Sequence, residues 1–407
     1  MAKHPQPAPA IFIVNRFYYP DHSATAQIAS DLGAYLATQG WGVRALASRY
    51  RYESGAPLPA TEIADNVSIR RLPSSGFGRR GKVGRLIDYA SFTLLAFLHI
   101  LWHARRGDIV ICKTDPPLLS VSMAIACGLR GARLVNWLQD MFPEIAAAML
   151  PRGIITALIW ARNRSLKAAR HNVVIGEAMR VRIEREGVTP ERITVIPNWT
   201  DEDITPIAVA DNDLRRAWGF DADTLVVSYS GNLGFAHDYE TLLGAAEQIG
   251  ENRLIQFLMI GGGAGFTALQ AEVARRSLGN FHFRPYQPRT ELSHSLGVGD
   301  VHWLSLKPEL EGLIVPSKLY GILAAGRPFI FIGDGDGEVG QCIAQHGGGT
   351  VIAAGDATGL AAIITRLASD RSELADQAAC ALAASHHYRR PIALDRWNSL
   401  LAGLAPE

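Results

Sequence analysis

The chain has 407 residues, 48% of them hydrophobic, with 40 Lys and Arg against 39 Asp and Glu. That length exceeds one ordinary core and predicts two domains. The near-neutral balance gives no reason to expect nucleic acid as a partner, and the apolar content excludes a disordered or collagen-like chain.

The polar, Pro-rich start and the short apolar run at 11–14 do not read as a secretory signal. That run suits a buried parallel strand. Apolar residues at helical spacing follow over 26–38, with Gly40 as a stop. Further strands are expected at 43–46, 67–72 (near an edge), 108–112, 133–138, 172–175 and 193–196. The pattern restarts after an Asp- and Pro-rich hinge at 198–213. Strands are expected at 225–229, 254–260, 281–283, 301–304, 329–332 and 349–352, with a helix over 239–249. Strand–helix alternation of this length predicts parallel doubly wound sheets, one architecture used twice. Cys112, Cys127, Cys342 and Cys380 form no CxxC pair or metal-ligand spacing. They read as buried reduced thiols of a cytosolic protein.

Two glycine-rich turns follow strands in the second half, at 231–234 and 261–263. Neither matches GxGxxG or GxxxxGK[ST], so a nicotinamide dehydrogenase or P-loop enzyme has no support. Such turns still let backbone amides approach phosphate at the carboxyl ends of parallel strands. The segment 306–328 (LKPELEGLIVPSKLYGILAAGRP) is more specific. It places an acidic turn and Gly312 before Pro316-Ser317-Lys318 at a helix start, where free amides, the dipole and an ammonium make a diphosphate seat.

With these residues the chain resembles retaining glycosyltransferase family 4, and within it the colanic-acid and lipid-linked-oligosaccharide transferases of bacterial surface polysaccharide pathways. Residues 14–22 (VNRFYYPDH), 137–144 (WLQDMFPE), 195–198 (VIPN), Ser230-Gly231-Asn232 and His237-Asp238 are similar to that branch along nearly the whole chain. The resemblance implies an α/β GT-B fold, two Rossmann-like domains facing across a cleft. It implies residues 1–200 as the acceptor-binding domain, 201–385 as the nucleotide-sugar-binding domain, and 386–407 as a C-terminal helix packing back on the first. It implies transfer of a hexose-type sugar, with retention, from a nucleotide-diphosphate donor to a saccharide on polyprenyl diphosphate. The enzyme is then expected to be cytoplasmic and peripheral on the inner membrane. No cofactor or metal is expected. The alternatives are a sugar-nucleotide epimerase of the same fold, or a degenerate non-catalytic sugar-nucleotide-binding subunit.

The implied catalytic residues are Asp140, Glu311 and His22, with Glu309 as rival to Glu311. The implied donor-binding residues are Gly231, Asn232, His237, Tyr286, Pro316, Ser317, Lys318 and Tyr320. Asp140 either orients or deprotonates the acceptor hydroxyl or caps the following segment. Glu144 is expected to be structural, Asp238 to cap a helix, and Phe283 to serve the core or the nucleobase. The family's second glutamate, which holds the ribose, has no counterpart here; Gly321 occupies its position. Asp334-Gly335-Asp336 reads as an exposed turn, not as the DxD metal motif of the other major transferase fold. The basic residues Arg79, Arg80, Lys82 and Arg85 precede the apolar stretch 86–104. That stretch is either a buried helix or a basic interfacial helix. Asp88, His99 and His103 within it disfavour a membrane span.

Overall fold

A computed structural model of the chain describes residues 9–21, 23–52, 54–77, 81–145 and 151–405. They divide into two compact units, 1–197 with 393–407, and 198–392.

The first unit is built on an eight-stranded sheet. Its strands are β1 (Ala10–Val14), β2 (Gly42–Ser48), β3 (Thr61–Ala64), β4 (Val67–Leu72), β5 (Ile109–Lys113), β6 (Arg133–Trp137), β7 (His171–Val174) and β8 (Ile193–Val195). The order is β3-β4-β2-β1-β5-β6-β7-β8. β5 and β7 are buried at every position, and β5 accordingly opens on a continuous apolar run without alternation. The helices are α1 (Ala24–Thr38), α2 (Lys82–His103), α3 (Leu119–Arg130), α4 (Arg152–Ala168) and α5 (Glu177–Arg185).

The strand expected near an edge at 67–72 stands next to the edge strand. β3 pairs antiparallel with it and takes the edge. The hairpin turns at Asp65 and Asn66, both left-handed with φ of 49° and 61°. Asp and Asn are the non-glycine residues that tolerate this turn.

In α2 the apolar stretch has a buried and an exposed side. Phe92, Ala96 and Ile100, four residues apart, are fully buried with Phe12, Val14 and Met123. The other side exposes Val83, Leu86, Ile87, Leu94 and Trp102. By length and composition the helix is sufficient to cross a membrane, but one of its faces is part of the first unit's core.

The second unit holds a six-stranded parallel sheet in the order β11-β10-β9-β12-β13-β14. The strands are β9 (Leu225–Asn232), β10 (Ile255–Gly262), β11 (Phe281–Arg284), β12 (Val301–Ser305), β13 (Phe329–Ile332) and β14 (Gly349–Ile352). The helices are α6 (Asp213–Ala217), α7 (Glu240–Ile249), α8 (Ala264–Arg275), α9 (Leu292–Val298), α10 (Lys318–Ala324), α11 (Glu338–His346), α12 (Ala357–Ser369) and α13 (Arg371–Ser385). Tyr229, Phe257, Met259 and Trp303 pack with Leu242, Leu269 and Ile364 to form one core. The buried Arg215 is matched by Asp300 at 3.0 Å and by the carbonyls of Val298, Asp221 and Thr224.

Two expectations need correction here. The glycine turns expected after residues 229 and 260 are partly strand, since β9 and β10 run on through Gly231-Asn232 and Gly261-Gly262 in register. Gly231 and Gly261 have φ of 132° and 131°. A Cβ on Gly261 would stand 2.1 Å from the Gly231 carbonyl oxygen, so this close pairing requires a glycine. Cys380 is exposed, unlike the other three cysteines, and all four are free.

The last helix, α14 (Arg390–Leu404), follows a short 3₁₀ turn at His386–Tyr388. From residue 393 it belongs to the first unit, where Trp397 is fully buried against Trp137, with centroids 4.7 Å apart. The indole of Trp41 donates to Asn398 at 2.8 Å.

Candidate active site

In an open parallel sheet the strand order reverses at one point, and the strand ends splay there to leave a crevice. In the second unit that point lies between β9 and β12, and the predicted donor residues gather beside it. Lys318, the first residue of α10, extends its ammonium to the Asn232 carbonyl (3.2 Å) and to His237 Nε2 (3.3 Å). His237 Nδ1 lies 2.8 Å from the Ser305 carbonyl at the end of β12. A carbonyl only accepts, so Nδ1 carries the proton and Nε2 accepts from Lys318. Burial and then the Lys318 charge push His237 down to about 4, which keeps the imidazole neutral. Burial alone brings Lys318 down to about 8, and its ammonium stands 5.0 Å from the Tyr229 ring centroid.

Glycines keep this corner open. A Cβ on Gly231 would stand 2.6 Å from Lys318 Cε, and one on Gly263 2.2 Å from Asn232 Oδ1. Tyr286 is exposed, with its ring beside Gly262. Phe283 packs edge-on against Phe266 at 5.5 Å, which makes it a core residue. Asp238 accepts from the Thr241 amide and hydroxyl and so caps the start of α7.

Around Lys318 the expected seat takes a different form. α10 has only seven residues, and the exposed Ser317 makes no capping bond with its side chain, so the charge at this corner is the Lys318 ammonium. Pro316 is buried and its carbonyl accepts from the Leu319 amide. Tyr320 is buried edge-on against Tyr388 at 5.2 Å. It is therefore a packing residue, not grouped with Lys318 and His237.

Glu311 lies against Gly337, where an added Cβ would fall 2.3 to 2.6 Å from its carboxyl atoms. Burial, and then the charges of Asp334 and Glu338, push its pKa up to about 7, against the backbone amides of Glu338 and Gly312. Glu309 is exposed on the preceding turn. Asp334 accepts from the Asp336 amide at 2.9 Å in an exposed turn.

In the first unit the reversal lies between β1 and β5, and a second cluster stands there. Arg16, just after β1, meets Asp115, just after β5, at 3.4 Å. Lys113 is fully buried at the end of β5, donating to the Thr25 carbonyl at 3.1 Å and lying 4.0 Å from the Trp137 ring centroid. Asp140 follows β6. Solvent touches it, yet the protein around its carboxyl desolvates it and, with Asp115, raises it to about 6 against the pull of Lys113. Burial lowers Lys113 to about 7, with Asp140 and Asp115 pulling it back up. Glu144 pairs with Arg162 at 2.7 Å and with Arg182 at 3.7 Å, a structural use. His22 lies outside the described residues, as do Arg79 and Arg80. Sequence reasoning missed Lys113, Arg16 and Ser305, whose only signal is a polar residue closing an apolar strand or starting the loop after one.

Residues 23–199 match the model of the glycosyl transferase 4-like domain. The chain is 27% identical to the putative colanic acid biosynthesis glycosyl transferase WcaI of Escherichia coli over 80% of its length and 83% of that protein. It is 26% identical to the probable glycosyltransferase WbjE of Pseudomonas aeruginosa, covering 98% of both. Residues 23–199 thus carry a glycosyl transferase 4-like domain, and over most of its length the chain is similar to bacterial glycosyltransferases. Its fold is GT-B. The solved structure of HepE from Anabaena in complex with UDP and glucose superposes with a TM-score of 0.71 at 17% identity, over 97% of this chain and 99% of that one. Each Rossmann-like unit thus carries its polar cluster at its own strand-order reversal.

Proposed function

We propose that this protein is a glycosyltransferase that moves a hexose, with retention, from a nucleotide-diphosphate donor to a saccharide on polyprenyl diphosphate during bacterial surface polysaccharide synthesis. The Lys318–His237–Asn232 corner carries the reading: a desolvated ammonium beside glycine-edged strand ends suits a diphosphate. The second unit then takes the donor and the first the acceptor. Lys318 offsets the charge that builds on the leaving diphosphate, as a preorganised cation in a water-poor site does. Neutral His237 holds that ammonium in place without competing for the anion. Glu311 accepts from a sugar hydroxyl and Tyr286 offers a ring to the nucleoside. Asp140, mostly ionised at neutral pH, orients the acceptor hydroxyl, while the leaving phosphate helps take its proton. Since Lys318 supplies the positive charge, activity is expected to persist in EDTA.

The acceptor's lipid fits the exposed side of α2. Leu86, Ile87, Leu94 and Trp102 are exposed on α2, as are Ile125 and Leu129 on the adjoining α3, and Arg85, Arg105 and Arg106 are exposed near the ends of α2. Apolar residues framed by arginines suit peripheral binding to the anionic cytoplasmic face of the inner membrane. The name of WcaI, a putative colanic acid biosynthesis enzyme, supports a polysaccharide pathway, and HepE's bound UDP makes UDP-hexoses the first donors to try.

The non-catalytic reading has one observation in its favour. At Gly321, where relatives hold the ribose, an added Cβ would meet only methyl groups of Ile204 and Leu296, both at 3.7 Å. Incubating the enzyme with UDP-, GDP- and dTDP-hexoses, with and without a bacterial lipid extract, decides among the three. Transfer only with lipid, and an anomeric configuration in the product equal to the donor's by NMR, is expected. Turnover without lipid would show an epimerase, and binding without transfer a non-catalytic subunit.

A further inference from the structure

A cavity of about 420 Å³ in the first unit lies beside the Asp140 cluster and is used by none of the roles above. The segments after β1, β2 and β4 wall it together with the first turns of α2. Three guanidinium groups line it: Arg16, Arg51 and Arg85. Arg16 is fixed, its guanidinium 4.3 Å from the Phe17 ring centroid and 4.7 Å from that of Tyr89. Among the described residues, the side chains of Arg51 and Arg85 meet no carboxylate. The cavity's own acid, Asp88, accepts from the Ser75 hydroxyl at 2.7 Å and the Phe77 amide at 2.8 Å. Among the described residues the lining therefore keeps a surplus of positive charge, even with Arg16 paired to Asp115.

The same turns of α2 present opposite chemistry to their two sides. Arg85 and Tyr89 line the cavity, while Val83, Leu86 and Ile87 stand exposed next to them. A ligand that satisfies both is an anion joined to an aliphatic chain.

We propose that this cavity binds the diphosphate of an isoprenoid-linked acceptor through Arg16, Arg51 and Arg85, with the first carbons of the lipid lying along the exposed apolar residues of α2. The inference rests on the lipid-linked acceptor reading and gives it a site. Arg51 and Arg85 would fork onto phosphate oxygens, and Arg16 would complete the seat.

Farnesyl diphosphate, inorganic diphosphate and farnesol are suitable probes, titrated by calorimetry into the full chain. A Lys318→Met background keeps the donor site from taking them. Farnesyl diphosphate is expected to bind at least tenfold more tightly than inorganic diphosphate or farnesol. Adding Arg51→Gln and Arg85→Gln, both at positions reached by solvent, is expected to weaken it at least tenfold without moving the melting temperature. Equal affinity for farnesyl diphosphate with and without these two arginines overturns the site. Equal affinity for inorganic and farnesyl diphosphate overturns its amphiphilic character. A steady-state assay separates this from the wider reading. If Lys318-intact enzyme transfers sugar to lipid with an acceptor KM unchanged by Arg51→Gln and Arg85→Gln, the cavity assignment falls alone. If farnesyl diphosphate binds through the arginines but no sugar is transferred, the transferase reading falls and the site stands.

Discussion

Lys318 carries most of the chemistry assigned to the second unit, and its protonation sets a pH test. Its pKa is depressed to about 8 by burial, and a diphosphate binds the ammonium form. Nucleoside diphosphate affinity should hold up to pH 8 and then fall by up to about tenfold per pH unit, because each binding event must supply the missing proton. Calorimetry from pH 7 to 10 reads this slope, and Lys318→Met should remove it. Glu311 works in the other direction. With its pKa raised to about 7, its carboxylate forms as pH rises from 6 to 8, so kcat/KM for the donor should rise across that window. Glu311→Gln should flatten the rise and lower kcat/KM at least tenfold, with little change in UDP affinity, if the group grips the sugar. Lys318 was legible because Pro-Ser-Lys precedes an apolar, small-residue helix. Lys113 was not, because one Lys after an apolar run looks the same whether its ammonium reaches water or lies under Trp137. Tyr320 misled for a related reason: position beside a motif says nothing about which way a ring turns.

At the scale of elements, α2 shows what periodicity alone leaves open. Its sequence is apolar on nearly every side, so the buried stripe of Phe92, Ala96 and Ile100 is chosen only when the helix meets the sheet. The two faces should therefore respond differently. Leu86→Glu with Leu94→Glu should leave the melting temperature nearly unchanged and abolish flotation with vesicles containing anionic phospholipid. Phe92→Ala should cost about 3–5 kcal/mol in denaturant unfolding, as large-to-small changes in a core do. Retained flotation in the double variant would remove the membrane role from this face. The glycine corner was half legible. The glycines announced a close approach at the strand ends, but the partner in that approach is another backbone, Gly231 against Gly261, and cross-strand register is invisible in one segment. The β3–β4 hairpin carried a readable Asp-Asn turn between short apolar alternations.

Across the whole molecule, the two-sheet architecture was legible because strand–helix alternation stopped, passed through a hinge and restarted. The assignment of the last helix rests on long-range packing instead. Trp397 lies in the first unit's core although nearly the entire second unit separates it in sequence from Trp137. Trp397→Ala should lower the stability of the first unit by about 3–5 kcal/mol and leave the nucleotide site of the second unit able to bind. Because the units have separate cores, two unfolding transitions are the expected form of that experiment. Donor binding by the second unit is the premise on which the proposed reaction stands. A thermal-shift panel of UDP, GDP and dTDP sugars addresses it, since a ligand that binds only the folded state raises its melting temperature by mass action. One nucleotide should stabilise the protein, and Lys318→Met should erase that shift while melting normally by itself. No stabilisation by any nucleotide sugar, or a shift that survives Lys318→Met intact, would contradict a donor site at this corner.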